Sequence, residues 1–513
     1  MDSIIDKGPF APCPSPFNMA AHVLGRAAAN PAKDALIVMG QSMGQSMGQS
    51  QDTRWSYSRL EAAVRGTGTG LLRRGLKAGD IMLLRLGNTA EFPIAYLGAI
   101  AVGIVPVPTS SQLTLAEVEK IVATLKPKAI AYGGSVAAPV DGAFQRISEA
   151  ELVKMQDLPP CDYALGDPDR MAYIIYTSGT SGRPRAVMHA HRAIWARQMM
   201  FEGWYGLKDD DRLCHAGAFN WTYTLGTGLM DPWTMGATAL IPEDGVAPEA
   251  LPALIKRHNA SIFAAAPGVY RKMLKAGGAL DLPQLRHGLS AGEKLSENLR
   301  RQWQMAAGTE VYEAYGMSEC STFLSASPSA PAQGGALGSV QAGRHIALLT
   351  DEGIAPQGEV GQIAVHRSDP GLMLGYFDAP DETAARFRDD WFLTGDLGVL
   401  SADGQIHYQG RNDDMMNAGG YRVSPLEVEA ALSAAPEAQK LTALAVCDVD
   451  IKQDVRIIAA FYTAEADIDL HALKAEAESR LAAYKRPKLY KRIDAMPLGP
   501  NNKLRRSALK EFL

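Results

Sequence analysis

Cysteine is scarce in this chain: Cys13, Cys161, Cys214, Cys320 and Cys447 are scattered over 513 positions, odd in number and without a C-x-x-C pair. That pattern excludes a disulfide framework or a thiolate zinc site as the organising feature and fits a reducing, cytoplasmic setting. No sign of charge dominates. With 51 Lys and Arg against 56 Asp and Glu, the net charge is -5, so neither nucleic acid nor an anionic membrane surface is implied as a partner. No apolar run reaches the ~20 residues of a membrane span. The most hydrophobic stretch, residues 92–107, is broken by Pro93 and Pro106 and reads as a buried helix leading into a strand. The first residues, MDSIIDKGPFAPCPSPF, lack the basic start and apolar core of a signal peptide. A Walker phosphate loop is also missing, because four residues beyond Gly179 the chain runs into Pro184 and Arg185 where Gly-Lys-Ser/Thr is needed.

What is present is enough chain for several folding units, since 513 residues exceed one hydrophobic core. Residues 40–51 read GQSMGQSMGQSQ, a polar tandem repeat between two strand-like runs, expected as an elongated hairpin loop without chemistry. Helical spacing over 58–75 stops at Gly75. Strand and helix signals then alternate (81–86, 91–102, 104–107, 115–125, 129–132), and the rhythm returns over 237–276. Such alternation predicts an α/β fold with largely parallel sheets. After about residue 335 short strands predominate, giving a β-rich subdomain. Beyond residues 411–414 a small α+β unit begins, with helices over 424–432 and 471–483 and strands over 443–448 and 456–462.

Residues 176–187 read YTSGTSGRPRAV and follow the apolar run 171–176. A strand that delivers hydroxyls and glycines into a loop suits a polyphosphate, because backbone N–H groups can approach the oxygens and the hydroxyls add donors. Four further segments follow in order: VYEAYGMSE at 311–319, FLTGD at 392–396, GRNDD at 410–414 and PLGPNNKLRR at 497–506. Together with the loop they resemble the signature elements of the adenylate-forming superfamily, which includes acyl-CoA synthetases, peptide-synthetase adenylation domains and luciferases. The resemblance spans about residues 20–510, and its overall look is similar to benzoate and medium-chain acid:CoA ligases.

The resemblance implies an α/β N-terminal adenylation domain over residues 1–410, with stacked sheets and the β-rich subdomain, and a small mobile α+β lid over 411–513 hinged at Asp413. It implies ATP, Mg2+ and coenzyme A as cofactor and co-substrates, a small carboxylic acid as substrate, no nucleic acid or membrane span, and allows a homodimer. In the phosphate loop it assigns Thr177, Ser178, Gly179, Thr180, Ser181, Gly182 and Arg185 to the nucleotide. Gly292 and Glu293 are assigned near adenine; Glu313, Ala314, Tyr315 and Gly316 line the nucleotide, with Tyr315 stacking near the base. Ser318 bonds the α-phosphate, Asp396 and Arg411 hold the ribose, and Thr180 and Glu319 hold magnesium. Lys503 enters the site for adenylation, so Lys503, Thr180 and Glu319 are the catalytic set. A lysine ammonium suits a transferring group on which negative charge builds. Gly419, Gly420 and Tyr421 form the thiol tunnel, with Gly420 leaving room for a pantetheine arm. The acyl pocket falls to Asn220, Trp221, Tyr223, Ala265, Ser290, Ala291 and Met317, apolar and of modest depth, which suits an aromatic or short-to-medium aliphatic acid. Without an Asp near Asn220, α-amino acids are disfavoured.

Two departures stand out: Arg185 replaces the usual Lys and Ala186 a frequent Gly, and the closing motif has Gly499 and Asn502 where Thr and Gly are usual. Arg keeps the charge and adds a planar fork of donors. A non-catalytic nucleotide- or acyl-binding relative is the reading those departures motivate, and loading of a carrier-protein thiol and luciferase-like oxidation are the rivals within the enzyme class. Residues 288–292, GLSAG, also match the G-x-S-x-G hydrolase elbow with Ser290 as nucleophile. His189 and His191 invite a metal pair, but on a helix following Val187 they point apart.

Overall fold

In the computed structural model, which describes residues 1–40, 52–134, 136–177, 185–275, 277–412, 415–418, 421–452, 455–481, 483–499 and 504–513, the first expected helix is Tyr57–Arg73. Gly75 follows at φ +83°, the left-handed stop that a residue without Cβ adopts freely. The described chain divides into two compact units: a sheet unit of Ile5–His345 and His366–Asp390, and a C-terminal unit of Met1–Ile4, Ile346–Val365 and Trp391–Leu513.

In the sheet unit the alternating signals fold as read. Val105–Pro108, Ile81–Arg85, Ala129–Tyr132 and Gln145–Ser148 make a four-stranded, wholly parallel sheet. Helix Glu91–Ala101 is apolar all round and accordingly buried all round, from Phe92 to Ala101. Pro93 is tolerated in its first turn, where an amide has no intrahelical partner to lose. Strand Val105–Pro108 follows, so the hydrophobic run 92–107 is the expected buried helix and strand.

A nine-stranded sheet forms the second layer. From Asp34–Met39 through Thr238–Pro242, Arg212–His215, Ile262–Ala265 and His287–Ala291 to Val311–Met317, neighbouring strands run parallel. Antiparallel strands close both edges: Thr53–Ser56 on Asp34–Met39 at one, and at the other Ser321–Ser325 on Val311–Met317 followed by the short Ser339–Val340. The Gln-Ser-Met-Gly repeat, between the first two of these, lies outside the described residues from 41 to 51. One face of the sheet is covered by helices Leu251–Arg257, Pro267–Leu274 and Glu297–Ala307, where Trp303 stacks on Phe263 at 6.0 Å and meets Tyr270 edge-on at 4.7 Å. The other face carries Trp204, Tyr205 and Tyr223.

A third, antiparallel sheet joins Met171–Thr177, Arg185–Ala190 and Gly375–Tyr376. The helix expected directly after Val187 is therefore a strand to Ala190, and helix begins only at Arg192. The reason is tertiary: this segment has a ladder partner on each side, so its amides are already committed. His189 and His191 do not form a metal pair. His189 Nε2 donates to the Ser318 carbonyl at 2.7 Å, and His191 Nδ1 accepts the Met19 amide at 3.0 Å.

The C-terminal unit begins with short strands, including Trp391–Leu400 antiparallel to Ile406–Arg411. Its last part pairs Leu441–Lys452 with Val455–Ala464 and adds Leu489–Arg492 in parallel. Helices Pro425–Ser433 and Leu470–Arg480 pack on this small sheet through Val428, Leu432, Val446, Ile458 and Ala477. Ser424 caps the first helix by accepting the Glu427 amide. Among the described residues no helix is long and apolar enough to cross a membrane.

Burial lowers five histidines of the sheet unit from the ordinary 6.5: His189, His287 and the half-buried His22 to about 4, His191 and His215 to about 3. They fold neutral. Between 6.5 and those values the unfolded chain binds protons that the folded chain does not, so their stabilising contribution is complete above pH 6.5 and is lost as pH falls toward 4. The melting temperature is expected to drop steadily as pH is lowered from about 7 to about 5. A flat profile across that window contradicts the neutral, buried assignment.

Candidate functional site

The arms of the Ser/Thr/Gly loop are the strand pair in which Thr177 faces Arg185 and Tyr176 faces Ala186. Ser178, Gly179, Thr180, Ser181 and Gly182 lie outside the described residues, as does the Thr177 side chain. Arg185 is held on two sides. Its Nε lies 2.9 Å from a Glu382 carboxylate oxygen, and its guanidinium carbon lies 5.0 Å from the centre of the Tyr376 ring. Tyr376, whose strand pairs with Val187, donates its hydroxyl to Oε1 of Glu319 at 2.7 Å. Burial, then the Glu319 charge, pushes the Tyr376 phenol well up, so it remains a donor.

Glu319 and Ser318 occupy the tight turn between strands Val311–Met317 and Ser321–Ser325. Gly316 precedes it at a bulge, where a Cβ would lie 2.0 Å from the Ser321 carbonyl oxygen; only glycine fits that approach. Tyr315 stands edge-on to Phe323 at 5.3 Å. Glu313 is buried, and its carboxylate receives the Lys294 ammonium and the Leu295 amide, each at 2.9 Å. This side chain therefore fastens the loop that carries Gly292 and Glu293. Gly292, at φ +94°, brings its backbone beneath Trp221, where a Cβ would sit 3.1 Å from the indole.

Trp221 meets Tyr223 at 5.1 Å and His215 at 6.3 Å, both edge-on, while Tyr223 and His215 are 4.4 Å apart. The Gly217 amide donates to His215 Nδ1 at 3.0 Å, so the neutral ring carries its proton on Nε2, which is buried without a hydrogen-bond partner. Asn220 lies in the turn just before Trp221, after Phe219, whose amide bonds Asn88 Oδ1 at 2.7 Å. The seven acyl-pocket candidates do not all meet. Ala291 and Tyr223 share the Trp204 face of the large sheet, with Ala314. Ala265 packs with Trp303 on the opposite face, and Ser290, paired in register with Ala265, shares that side. Met317 ends its strand, next to the Ser318–Glu319 turn. The Ser290 hydroxyl is fully buried inside a strand with no hydrogen-bond partner. It has neither the exposed strand-to-helix turn nor the histidine that a hydrolase elbow requires.

In the C-terminal unit, Asp396 and Arg411 stand directly opposite on paired strands, where Cβ atoms are about 5 Å apart. Asp396 is oriented by the Tyr408 hydroxyl, which donates to Oδ1 at 3.0 Å, and by its own amide, which bonds Thr394 Oγ1 at 3.1 Å. Asp413, Gly419, Gly420 and Lys503 lie outside the described residues, as does the Tyr421 side chain. Flanking them, Met416–Ala418 pairs antiparallel with Tyr421–Val423. Around the closing motif Leu498 bridges Leu504, and the Arg505 amide bonds the Pro497 carbonyl at 2.8 Å.

Sequence reasoning missed Tyr376, Tyr408 and His215. Tyr408 sits two residues from Gly410 in a motif already singled out and was within reach. Nothing local marks Tyr376.

Among solved structures, the anthranilate CoA ligase AuaEII in complex with anthranoyl-AMP matches with a TM-score of 0.87 and 23% identity, over 98% of each chain. The benzoate CoA ligase from Burkholderia xenovorans LB400 matches with a TM-score of 0.84 and 25% identity, over 96% of this chain and 100% of that one. The 3-hydroxybenzoate–CoA/4-hydroxybenzoate–CoA ligase of Thauera aromatica is 28% identical over 489 residues, 89% of this chain and 92% of the relative. With the model of the AMP-binding enzymes matched over residues 25–377, the chain belongs to the AMP-binding enzyme family, the adenylate-forming lineage its motifs resemble.

Proposed function

We propose that the chain is an AMP-forming acid:CoA ligase acting on an aromatic carboxylic acid. The observation that carries the reading is the linked set Arg185, Tyr376 and Glu319, which joins the arm of the phosphate loop to the turn bearing the metal-binding candidate. A cation for phosphate and a carboxylate for a metal, held side by side, fit a nucleotide triphosphate.

In the first step a carboxylate oxygen of the acid attacks the α-phosphorus of ATP, and the bond to the pyrophosphate oxygen breaks. Residues 177–182 and Arg185 hold the phosphates, Ser318 the α-phosphate, and Asp396 and Arg411 the two ribose hydroxyls. Tyr315 stacks on adenine beside Gly292, Glu293 and the backbone of Glu313, Ala314 and Gly316. Lys503 meets the negative charge that builds on the transferring group. In the second step a thiolate attacks the acyl carbon and AMP leaves with the electron pair of the broken C–O bond. The adenylate is needed because a free carboxylate is a poor electrophile. A domain over 1–410 and a lid over 411–513, turning at Asp413, let one site serve both steps. The lid then presents Gly419, Gly420 and Tyr421 to the pantetheine arm.

The turn fits Mg2+, a hard cation that would take the Glu319 carboxylate together with phosphate and water oxygens. Among the described residues no group of three or more His, Cys, Asp or Glu forms a cage that would favour another metal. Glu319 and Thr180 would hold the ion, which when bound offsets the charge of the phosphates.

An aromatic acid is favoured by the walls of Trp221, Tyr223 and His215 and by the names of two of the relatives, a hydroxybenzoate and a benzoate CoA ligase. Pyrophosphate release with ATP and Mg2+ tests the reading across benzoates, phenylpropanoids and aliphatic acids, each with and without coenzyme A. Acid-dependent release led by a benzoate, and an acyl-CoA product only when coenzyme A is present, is expected. Release without any acyl-CoA would favour a carrier-protein thiol as acceptor. Silence across the panel while ATP still binds overturns the enzyme reading.

A further inference from the structure

The segment Met373–Phe377 touches at once the strand that leaves the phosphate loop and the turn that carries Glu319. The Leu374 amide bonds the Met188 carbonyl and the Phe377 amide the Ala186 carbonyl, each at 2.8 Å, which welds the segment to the strand that leaves the loop. At its near end the Met373 amide bonds the Glu319 carbonyl at 2.7 Å. Residue 319 is thus gripped twice by five consecutive residues, through its main chain by Met373 and through its carboxylate by Tyr376. Tyr376 has little freedom of its own: it is 3% exposed, and its amide bonds Thr383 Oγ1 at 2.9 Å.

We propose that Tyr376 is a positioning residue for the phosphate-and-metal end of the nucleotide site: its hydroxyl fixes Oε1 of Glu319 so that the second carboxylate oxygen is presented to a divalent cation, and its ring keeps the Arg185 guanidinium alongside. The inference rests on the roles given above to Glu319 and Arg185. A carboxylate on a three-carbon stem sweeps a wide volume when untethered. One charge-assisted bond of 2.7 Å removes most of that freedom and occupies only one of the two oxygens. The hydroxyl donates to Oε1 and the cation would take the other oxygen, so the two partners do not compete for one lone pair. The Arg185–Glu382 pair, at 2.9 Å but half exposed, adds little energy and serves to keep the guanidinium over the ring. Arg suits this place better than Lys, since a flat guanidinium stacks on an aromatic face.

The test uses the full chain, with Mn2+ as the cation, and needs no acid substrate. Mn2+ affinity in the presence of saturating ATP is read by electron paramagnetic resonance. ATP affinity in metal-free buffer is read separately by calorimetry. Tyr376→Phe, which keeps the ring, is expected to weaken Mn2+ about tenfold, the worth of one hydrogen bond to a charged group, and to leave metal-free ATP binding unchanged. Glu319→Gln should weaken Mn2+ by more, and the double variant should bind no worse than Glu319→Gln alone, because the hydroxyl acts through the carboxylate. Additive losses, or equal losses of Mn2+ and metal-free ATP binding, are what a merely structural role gives and would overturn the inference. Unchanged Mn2+ affinity in Tyr376→Phe overturns it while leaving the ligase reading standing. Failure of the native chain to bind Mn2+ and ATP together overturns both.

Discussion

Replacing Asp231 by alanine is expected to cost the sheet unit about 3–5 kcal/mol of unfolding free energy, the usual consequence of stranding one member of a buried ion pair. Asp231 is fully buried and accepts three bonds: Arg197 Nε at 2.9 Å, Arg197 Nη2 at 2.6 Å and the Tyr205 hydroxyl at 2.7 Å. Arg197 also reaches Thr227 Oγ1 at 3.3 Å and Ser321 Oγ at 2.5 Å. Arg197 is itself buried, so little solvent is at hand to replace the lost carboxylate. Gly226 is part of the same arrangement, because a Cβ there would lie 2.2 Å from Arg197 Nη2. Urea unfolding followed by tryptophan fluorescence measures the loss, since Trp204 and Trp233 are buried in this unit. Arg197→Met combined with Asp231→Leu should recover most of it, because no unpaired charge remains. A loss below about 1 kcal/mol for Asp231→Ala would mean that the guanidinium finds other partners. The network also reaches the site: Ser321, at φ +63°, directly follows the turn of Ser318 and Glu319. Asp231→Ala at a permissive temperature is therefore also expected to weaken nucleotide binding.

The second large effect is expected at Lys503. Changing it to alanine should lower acid-dependent pyrophosphate release about 10²–10³-fold, the scale of removing one charge-stabilising donor from a transition state. Thioester formation from supplied acyl-adenylate should be largely retained, since in the second step charge no longer builds on the transferring phosphoryl group. Gly420→Leu should show the mirror image, with adenylation kept and thioester formation blocked, because a leucine side chain would fill the passage for the pantetheine arm. Separate rates for the two half-reactions decide the matter. Equal losses in both for Lys503→Ala would sink its assignment to adenylation. Unimpaired thioester formation in Gly420→Leu would remove that residue from the tunnel.

Much of the fold was legible because helices and strands announce themselves over short spans. The helix expected over 58–75 is Tyr57–Arg73, and the one over 115–125 is Leu115–Leu125. The run 92–107, apolar on every side, has one solution in water, which is complete burial. Asp396 and Arg411 were singled out by separate motifs, and a two-strand ladder puts them opposite each other. The helix predicted after Val187 failed for a reason no local window contains: strands on both sides claim its amides, one of them residues 375–376, far along the chain.

The sequence by itself determined the α/β class, the order of chemical motifs and the kind of reaction they suit, because each of these is written in residues a few positions apart. Only the tertiary structure decided which candidates share a surface. Ala265 and Ser290 look like neighbours of Ala291, yet strand alternation and the parallel register send them to the opposite side of the large sheet. Glu313 looks available to a ligand until Lys294 and the Leu295 amide are seen to occupy it. Tyr376 reaches Glu319 across 57 positions of chain. A contact of that separation depends on strand order and register, which are set by the packing of the whole sheet unit and leave no mark on the residues around either partner.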